Sequence, residues 1–215
     1  CQPRVGDGLL KASLQHGGGR GDPFFVVVEV HFGVAAPDGS LLVIPLSSGE
    51  GLFRFTGWDE PLVPTGQTGS SYGHMAAGPD GSVFRVQSGL GVLRARPDGV
   101  DEVVLEEGEL RDLTGAEAIN VTGLAVQPDG AVIVGTGDGH LIAVEADGGV
   151  ALLYDAFEDF AAAGLWTEED GCFGGIPCEL LIGPITYEPV HGILFFWLTM
   201  NFIAGPGFML DLVAV

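Results

Sequence analysis

Basic residues are scarce in this sequence. Lys and Arg number 8 in 215 residues against 29 Asp and Glu, which gives a formal net charge of −21. Nucleic acid and anionic lipid surfaces would repel such a chain, so we predict no nucleic-acid partner. The acidic excess is typical of a soluble secreted or halotolerant protein, and it leaves open a basic partner or bound cations.

Long hydrophobic runs and several enzyme motifs are also missing. The apolar run ILFFWLTMNFIA at 193–204 has 12 residues and is followed by Gly-Pro-Gly, whereas a membrane-spanning helix needs about 20. We therefore predict a buried strand and turn there. No His-Glu-x-x-His and no phosphate-binding loop occurs in the chain, which removes the metalloprotease and nucleotide-binding classes that these motifs mark.

What the chain does have is a repeat, in which an apolar run is followed by Pro-Asp-Gly and a second apolar run. Copies begin their turns at Pro37, Pro79 and Pro128, and a looser copy has Pro189, so the spacings are 42, 49 and 61 residues. Pro presets φ, Asp bonds to its own backbone and Gly accepts positive φ, so each break predicts a tight turn between strands. A period of about 40–50 residues is typical of four-stranded propeller blades.

We therefore predict an all-β fold, a small β-propeller of about four four-stranded blades. Residues 121–155 form the clearest blade, because four short apolar runs are separated there by turn signals. The last blade has only three predicted strands, and a spare N-terminal strand at 24–30 precedes the first repeat. Pairing the N-terminal strand with the last blade would close the ring and remove two exposed edges. The alternative is that the chain is a fragment of a larger propeller.

The chain start predicts an anchor. Residues 1–23 are expected to be a flexible glycine-rich tether, and residues 24–215 the propeller, with an insertion at 156–179. Because residue 1 is cysteine, the start resembles a mature bacterial lipoprotein, in which Cys1 would carry the lipid. The protein would then lie outside the cytoplasm, at the outer membrane or cell surface, and touch the membrane only through that lipid. Secretion without an anchor is the alternative.

The other two cysteines predict a disulfide. Cys172 and Cys178 are six residues apart across Phe-Gly-Gly-Ile-Pro, in an insertion with little core of its own. A disulfide there would contribute roughly 2–3 kcal/mol and indicates an oxidising compartment. A metal site is the competing interpretation, but two cysteines supply only half of the ligands of a structural zinc site.

Histidines and acidic residues supply the candidate ligands. His31 and His74 stand near the starts of the first two inner strands, where two imidazoles at a channel rim could act as base or ligand. Asp138 and His140 lie in a Gly-Asp-Gly-His turn. The acidic run at 168–170 could bind calcium through oxygen ligands. Turn capping and a solvated acidic surface are the plainer interpretations, so we predict no cofactor and leave calcium open.

The insertion also carries aromatic residues. Its first part, FEDFAAAGLW, has apolar residues at helical spacing and predicts a short amphipathic helix. Loops on a rigid ring are the usual contact sites of such folds. The aromatic residues of the insertion would either anchor a protein partner or pack down over the ring: Phe157, Phe160, Trp166 and Phe173.

The Pro-Asp-Gly turn between an inner strand and a second apolar strand resembles the repeats of NHL-type and gluconolactonase-like β-propellers. The resemblance covers about residues 24–215. Such families include lactone hydrolases with a metal in the channel, a streptogramin lyase and many binding modules. The resemblance implies cation ligands of carboxylate and Asn type at the top of the channel. Asn120 matches one such position, whereas Gly135 and Thr136 stand where an acidic residue is expected.

We predict a secreted or surface-anchored propeller that binds a protein partner or neighbouring subunits. The alternative is a channel-centred, metal-dependent lactone hydrolase or lyase. An enzyme would gather polar side chains from the inner strands of several blades at one rim, but these strands carry packing residues such as Val34, Met75, Leu124 and Ile185. The pattern therefore favours binding over catalysis, and we assign no catalytic residue.

Overall fold

The computed structural model describes residues 10–15, 25–45, 51–57, 60–69, 74–117, 120–167, 171–172, 178–202 and 208–214. The strands within them are β1 (Leu10–Gln15), β2 (Phe25–Ala35), β3 (Leu41–Pro45), β4 (Gly51–Phe55), β5 (Val63–Thr68), β6 (Met75–Ala77), β7 (Val83–Gln87), β8 (Gly91–Ala95), β9 (Asp101–Glu106), β10 (Val121–Val126), β11 (Val132–Thr136), β12 (His140–Val144), β13 (Val150–Asp155), β14 (Trp166–Thr167), β15 (Gly171–Cys172), β16 (Cys178–Glu188), β17 (Ile193–Phe202) and β18 (Phe208–Ala214). The helices are α1 (Glu107–Thr114) and α2 (Ala156–Ala162).

The strands form four antiparallel meanders that follow one another along the chain, as the repeats predict. Blade one contains β1 to β5, blade two β6 to β9, blade three β10 to β13 and blade four β16 to β18. Strands β14 and β15 form a separate small hairpin. The all-β, four-bladed architecture is therefore confirmed, with one extra strand in blade one and three strands in blade four.

The Pro-Asp-Gly repeat produces the same turn in three blades. In each, the Asp side chain accepts a hydrogen bond of 3.0–3.1 Å from the backbone N–H two residues later. The following glycine has a φ of +82° to +94°, a conformation that disfavours any side chain. The local chemistry of three residues therefore determines the geometry of each turn, whose acceptors are Asp38, Asp80 and Asp129.

Neighbouring blades are joined by apolar clusters between their faces. Leu42 and Ile44 of blade one pack with Val83 of blade two. Blades two and three share a second cluster, and a third cluster between blades three and four includes Ile133 and Leu198. Each fully buried aliphatic side chain contributes roughly 1.5–3 kcal/mol, so the blade faces hold the arc of blades together.

The predicted ring closure is wrong in the described strands. The expected spare strand at 24–30 and the first inner strand are one continuous strand, β2, because no proline lies between Pro23 and Pro37 and Gly33 pairs with Val43 within the strand instead of forming a turn. Strand β2 pairs with β1 and β3, and the described neighbour of β18 is β17. Among the described elements, blade four does not pack against blade one as the other consecutive blades pack together.

The predicted tether is also partly wrong. Leu10–Gln15, inside the segment 1–23, pairs with the first half of β2 as the edge strand of blade one. The prediction failed because this strand is specified by its distant partner, the continuous apolar run of β2, and not by its own composition. The rest of the predicted tether lies outside the described residues.

Both helices begin at identifiable caps. Helix α1 begins after a reciprocal capping box formed by Glu106 and Glu109, and Gly115 ends the helix with a φ of +72°. Helix α2 is the amphipathic helix predicted in the insertion, and its last turn ends well before β16 begins at Cys178. No helix in the described part of the chain is long and apolar enough to cross a membrane.

Candidate functional site

Because each blade is an antiparallel meander, its connections alternate between the two ends of its strands. The turns between second and third strands, and the links from one blade to the next, share one end, which we call the upper rim. The Pro-Asp-Gly turns lie at the other end, together with the turns between third and fourth strands. The upper rim is therefore where candidate site residues from different blades could meet.

Three charged side chains come together at the upper rim of blade three. Asp138 and His140 lie where the chain turns from β11 into β12, and Asp155 ends β13. His140 Nδ1 lies 3.4 Å from Asp138 Oδ1, and His140 Nε2 lies 3.6 Å from Asp155 Oδ2. The imidazole therefore stands between two carboxylates, an arrangement that we call the rim triad.

The backbone of this turn is held from two sides. Thr136 Oγ1 accepts a hydrogen bond of 3.0 Å from the His140 backbone N–H. Gly139 has a φ of +85°, and a Cβ there would lie 3.1 Å from the Leu180 carbonyl oxygen of blade four. The Ala156 N–H at the start of α2 donates to the Gly139 carbonyl oxygen at 3.0 Å. Glycine is thus required for the turn to pack against blade four.

Asp155 connects the rim triad to α2. Its Oδ1 accepts hydrogen bonds from the backbone N–H groups of Phe157 at 2.8 Å and Glu158 at 3.2 Å, which caps the helix. Its other oxygen faces His140. His140 and Asp155 are 15 residues apart in the sequence. The hairpin of β12 and β13 brings them together, because they are register partners in it.

Burial and charge set the protonation of the rim triad. The His140 side chain is 9% exposed, and its Nδ1 and both Asp138 carboxylate oxygens are buried without a hydrogen-bond partner in the described residues. Contact with Asp138 is the largest cause that raises the pKa of His140. Burial acts to raise the pKa of Asp138, but contacts with His140 and Thr136 outweigh it and lower that pKa. The charged forms are therefore favoured, and the site can hold a proton on the imidazole.

Asn120 lies beside this turn. Its carbonyl oxygen accepts a hydrogen bond of 2.6 Å from the Gly137 N–H, and a Cβ on Gly137 would lie 3.2 Å from the Asn120 side-chain nitrogen. The predicted rim residue Asn120 and the Gly-Asp-Gly-His turn are thus brought to the same place. The Asn120 side chain is exposed.

The other predicted rim residues are not part of this group. His74 is half-buried just before β6 in blade two. His31 lies within β2, at an irregularity in its pairing with β3, and its side chain lies outside the described residues. Where the structure describes side chains, no group of three or more His, Cys, Asp or Glu residues is placed to hold a metal ion. The described polar groups of the rim triad all come from one blade.

The aromatic residues of the insertion divide into two kinds. Phe160 is 7% exposed and belongs to the cluster between blades three and four, and Phe157 packs against the same cluster. Packing against the blades therefore describes Phe160, which is buried together with Ala156 in this cluster. The side chain of Trp166 and the whole of Phe173 lie outside the described residues.

The predicted disulfide, the lipid site and the calcium site stay predictions. The backbone of Cys172 pairs with Trp166 in the small hairpin, and that of Cys178 pairs with Phe202 in blade four. The side chains of both cysteines, and residues 1 and 168–170, lie outside the described residues.

One sequence motif was missed. Residues 69–73, GSSYG, fit the spacing G-x-S-x-G, which in α/β-hydrolases forms a sharp turn from a strand into a helix. Here the motif lies between strands β5 and β6. The spacing is present without the strand-to-helix context that gives it meaning, and residues 70–73 lie outside the described residues.

A groove of about 370 Å³ lies at the opposite end from the upper rim, between blades one and two. Its lining includes Arg54, Gln67 and Asp80. Arg54 pairs with Asp38, and Asp80 pairs with Arg94 at 2.6 Å. Gln67 donates from its side-chain nitrogen to two backbone carbonyl oxygens at 2.9 and 3.0 Å. These polar groups are satisfied by the protein itself, which is the pattern of a structural seam.

A second candidate site is the side of blade four that points away from blade three. Phe196 and Leu198 of β17 are 3% and 0% exposed within the cluster facing blade three, so the alternate residues of β17 point the other way. Of these, Phe195 is 40% and Trp197 46% exposed. We call this surface the blade-four face and define it by Leu181, Gly183, Phe195, Trp197 and Thr199.

Comparison with known proteins supports the fold. No protein-family model and no curated protein matches the chain. Among solved structures, a gluconolactonase from Xanthomonas campestris matches 86% of this chain and 57% of its own length, at 13% identity and a TM-score of 0.50. At this identity the likeness shows a β-propeller and nothing about the site.

Two further solved structures give weaker likenesses. The calcium-binding protein regucalcin from Agrobacterium tumefaciens matches 80% of this chain and 52% of its own, at 14% identity and a TM-score of 0.45. The structure of YCF48 bound to a D1 peptide matches 83% of this chain and 52% of its own length, at 14% identity and a TM-score of 0.47. The chain thus spans a little over half the length of the solved structures named here.

Proposed function

We propose that this propeller is a binding or assembly module that acts outside the cytoplasm and contacts a protein through the blade-four face. The observation that carries the proposal is the pair of neighbouring exposed aromatic side chains, Phe195 and Trp197, on one face of a regular sheet. Contiguous exposed apolar surface is uncommon on monomeric proteins and marks interaction sites. Aromatic residues, and Trp above all, are the side chains that most often dominate the binding energy of an interface.

The composition of the rest of the described surface supports binding over catalysis. The charged groups of the rim triad belong to one blade, and those of the groove between blades one and two pair with one another. A propeller enzyme would be expected to combine side chains from several blades at one point. The blade-four face needs no such convergence, because apolar packing is not directional.

The experiment places a photo-crosslinking amino acid at position 195 and, as a matched control, at Val100, which is exposed in a turn of blade two. Each variant is irradiated in whole cells or culture medium of the source. The proposal predicts a protein crosslink from position 195 that is missing from position 100. Equal crosslinking from both positions, or none from position 195, contradicts it.

Location and anchoring remain part of the proposal. Its support is in the sequence, namely the spacing of Cys172 and Cys178, the acidic surface and Cys1. Intact mass of the natively expressed protein tests the disulfide and the lipid anchor in one measurement. A lipid mass on Cys1 and a gain of two hydrogens on reduction are expected. A mass that reduction leaves unchanged contradicts the disulfide, and an unmodified Cys1 contradicts the anchor.

The rim triad favours a second candidate, the channel-rim hydrolase. His140 between two carboxylates, with Asn120 close by, could move a proton in the opening of a lactone. Hydrolysis of a panel of aldonolactones, with and without added calcium, tests this candidate. Activity that His140→Gln removes and Trp197→Ser leaves intact would favour it, whereas inactivity on the panel under both conditions would not.

A further inference from the structure

The rim triad connects a titratable side chain to the cap of a helix. The two nitrogens of His140 lie 3.4 Å from an oxygen of Asp138 and 3.6 Å from Oδ2 of Asp155. The other oxygen of Asp155 accepts hydrogen bonds from the N–H groups of Phe157 and Glu158 in the first turn of α2. One aspartate therefore contacts both the imidazole and the start of the helix.

The protonation state of His140 decides how many carboxylates it can serve. A charged imidazolium has an N–H at both nitrogens, so it can donate towards Asp138 and Asp155 at once. A neutral imidazole keeps one N–H, and its other nitrogen presents a lone pair. Loss of the proton therefore makes the two carboxylates compete for a single donor, and the one that loses it faces a lone pair.

Burial favours Asp138 in this competition. Within the described structure, both of its carboxylate oxygens are buried and have no hydrogen-bond partner, and a buried carboxylate without a donor is costly. Asp155 has two other donors at the start of α2, and its side chain is 26% exposed, so it can turn towards water. The remaining proton is therefore expected on Nδ1 of His140, with the lone pair of Nε2 facing Asp155.

We propose that His140 is a pH switch for the first turn of α2. The imidazolium holds Asp155 in place as the helix cap, whereas the neutral imidazole repels Asp155, which turns to water and releases both N–H groups. Phe160 is buried in the cluster between blades three and four and keeps the rest of the helix in place. Because α2 begins the insertion at 156–179, pH sets how firmly the start of the insertion is held at the upper rim.

The groups around His140 set the pH at which it switches. Contact with Asp138 raises the pKa of His140 most, burial opposes this rise and Asp155 adds to it, so the proton is lost above pH 6.5. Burial is the largest cause that raises the pKa of Tyr154, beside Asp155 on β13, to about 12. Histidine is the side chain that ordinarily changes charge near neutral pH. The other titratable residues on the elements around it are Glu158 and Asp159 on α2 and Cys178, Glu179, Tyr187 and Glu188 on β16.

The test follows single amides of the nitrogen-15-labelled full-length protein by NMR from about pH 6 to about pH 9. Protection from hydrogen exchange, corrected for the pH dependence of free exchange, should fall roughly fivefold at Phe157 and Glu158, because that is the usual effect of losing a cap. The fall should share its midpoint with the ring titration of His140, and the neutral ring should carry its proton on Nδ1. The control is the Glu106 N–H of the α1 cap, bonded to Glu109 Oε2 at 3.0 Å, which should keep its protection.

Two variants separate the switch from a general loss of stability. Asp138→Asn supplies an N–H that can donate to Nδ1 of the neutral ring, so the ring proton moves to Nε2 and faces Asp155. The protection of the first turn of α2 should then persist at high pH. His140→Gln has no titrating ring, so the protection of that turn should not change with pH.

Each other outcome overturns the inference. Unchanged protection of α2 while the His140 ring titrates would show that the ring does not control the cap, and a ring that keeps one charge over this range would remove the switch. An equal fall at the α1 cap would show a global change. A neutral wild-type ring with its proton on Nε2, or a fall that persists in Asp138→Asn, would exclude the competition. These last two readouts decide the question even if His140→Gln does not fold.

Discussion

The two faces of β17 carry the same kinds of side chain, but one face is buried and the other is exposed. Phe196 and Leu198 are buried in the cluster between blades three and four, whereas Phe195 and Trp197, alternating with them, are 40% and 46% exposed. Hydrophobicity does not distinguish the two pairs, and neither does strand geometry. The difference is that, among the described elements, a neighbouring blade covers only one of the two faces. Neighbouring exposed apolar side chains of this kind mark interaction sites.

The largest expected effect comes from truncating the covered face. Leu198→Ala should lower the free energy of unfolding by about 2–5 kcal/mol, because the side chain is fully buried and its removal leaves a cavity. Trp197→Ser should change it by less than about 1 kcal/mol, because that side chain is 46% exposed. Urea unfolding of both variants measures the contrast, and equal losses would contradict the assignment of the two faces.

Glycine substitutions test the same comparison between the two faces, through the space that each face leaves for an added methyl group. Gly135→Ala should cost about 1–3 kcal/mol, because the new Cβ would lie 2.7 Å from Ile185 Cδ1 and 2.9 Å from Ile182 Cγ2. Gly183→Ala, on the blade-four face, meets Trp197 Cβ at 3.2 Å and should cost less. Thermal unfolding of the pair distinguishes them. A larger loss at position 183 would mean that the blade-four face is the tightly packed one.

The rim triad adds a pH dependence where blade three meets blade four. The pKa of His140 in the folded protein is raised above its ordinary 6.5, chiefly by Asp138. The charged pair therefore contributes stability fully below about pH 6.5, and this contribution is lost as pH rises through the folded pKa. Unfolding midpoints from about pH 5 to about pH 9 should fall with rising pH in the wild type.

The control is His140→Gln, in which that fall should flatten. At low pH the change in stability with pH has the opposite sign, because Asp138 is the group that titrates there. Its folded pKa is lowered from 3.8, so its contribution is present above about pH 3.8 and is lost as pH falls through the folded value. A His140→Gln profile with the same slope as the wild type between about pH 5 and pH 9 would show that the imidazole is not the titrating group.

The smallest expected effect lies in the Pro-Asp-Gly turns. Arg94 of blade two bridges Asp80 at 2.6 Å and Glu102 at 3.0 Å, but all three side chains are at least one-third exposed. Blade three has Ala143 at the register position of Arg94 and forms the same turn. Arg94→Gln should therefore cost no more than about 1 kcal/mol in urea unfolding. A loss as large as that of Leu198→Ala would make the ion pair essential to the turn.

Local features of the fold were predictable and long-range pairings were not. The Pro-Asp-Gly turns need three adjacent residues, so the hairpins of blades one to three follow directly from the sequence. The closure of the ring depended on which distant strand would pair with β2. The true partner in the described structure, Leu10–Gln15, lies in a segment whose composition indicates a tether.

The candidate sites show the same limit. The Gly-Asp-Gly-His turn and Asn120 were visible in the sequence, but Asp155 joins them only through hairpin register and its role as the cap of α2. The run 193–204 predicted a buried strand, and half of that prediction holds. Its unbroken hydrophobicity could not reveal that one face would be left open, because exposure there depends on which blades are its neighbours.

The most direct test of the open blade-four face is photo-crosslinking from position 195 in whole cells or culture medium of the source, with position 100 as the control. We predict a protein crosslink from position 195 that Trp197→Ser weakens and that position 100 does not give, because Phe195 and Trp197 are exposed side by side on this face. No crosslink from position 195, or equal crosslinking from both positions, would contradict the proposal.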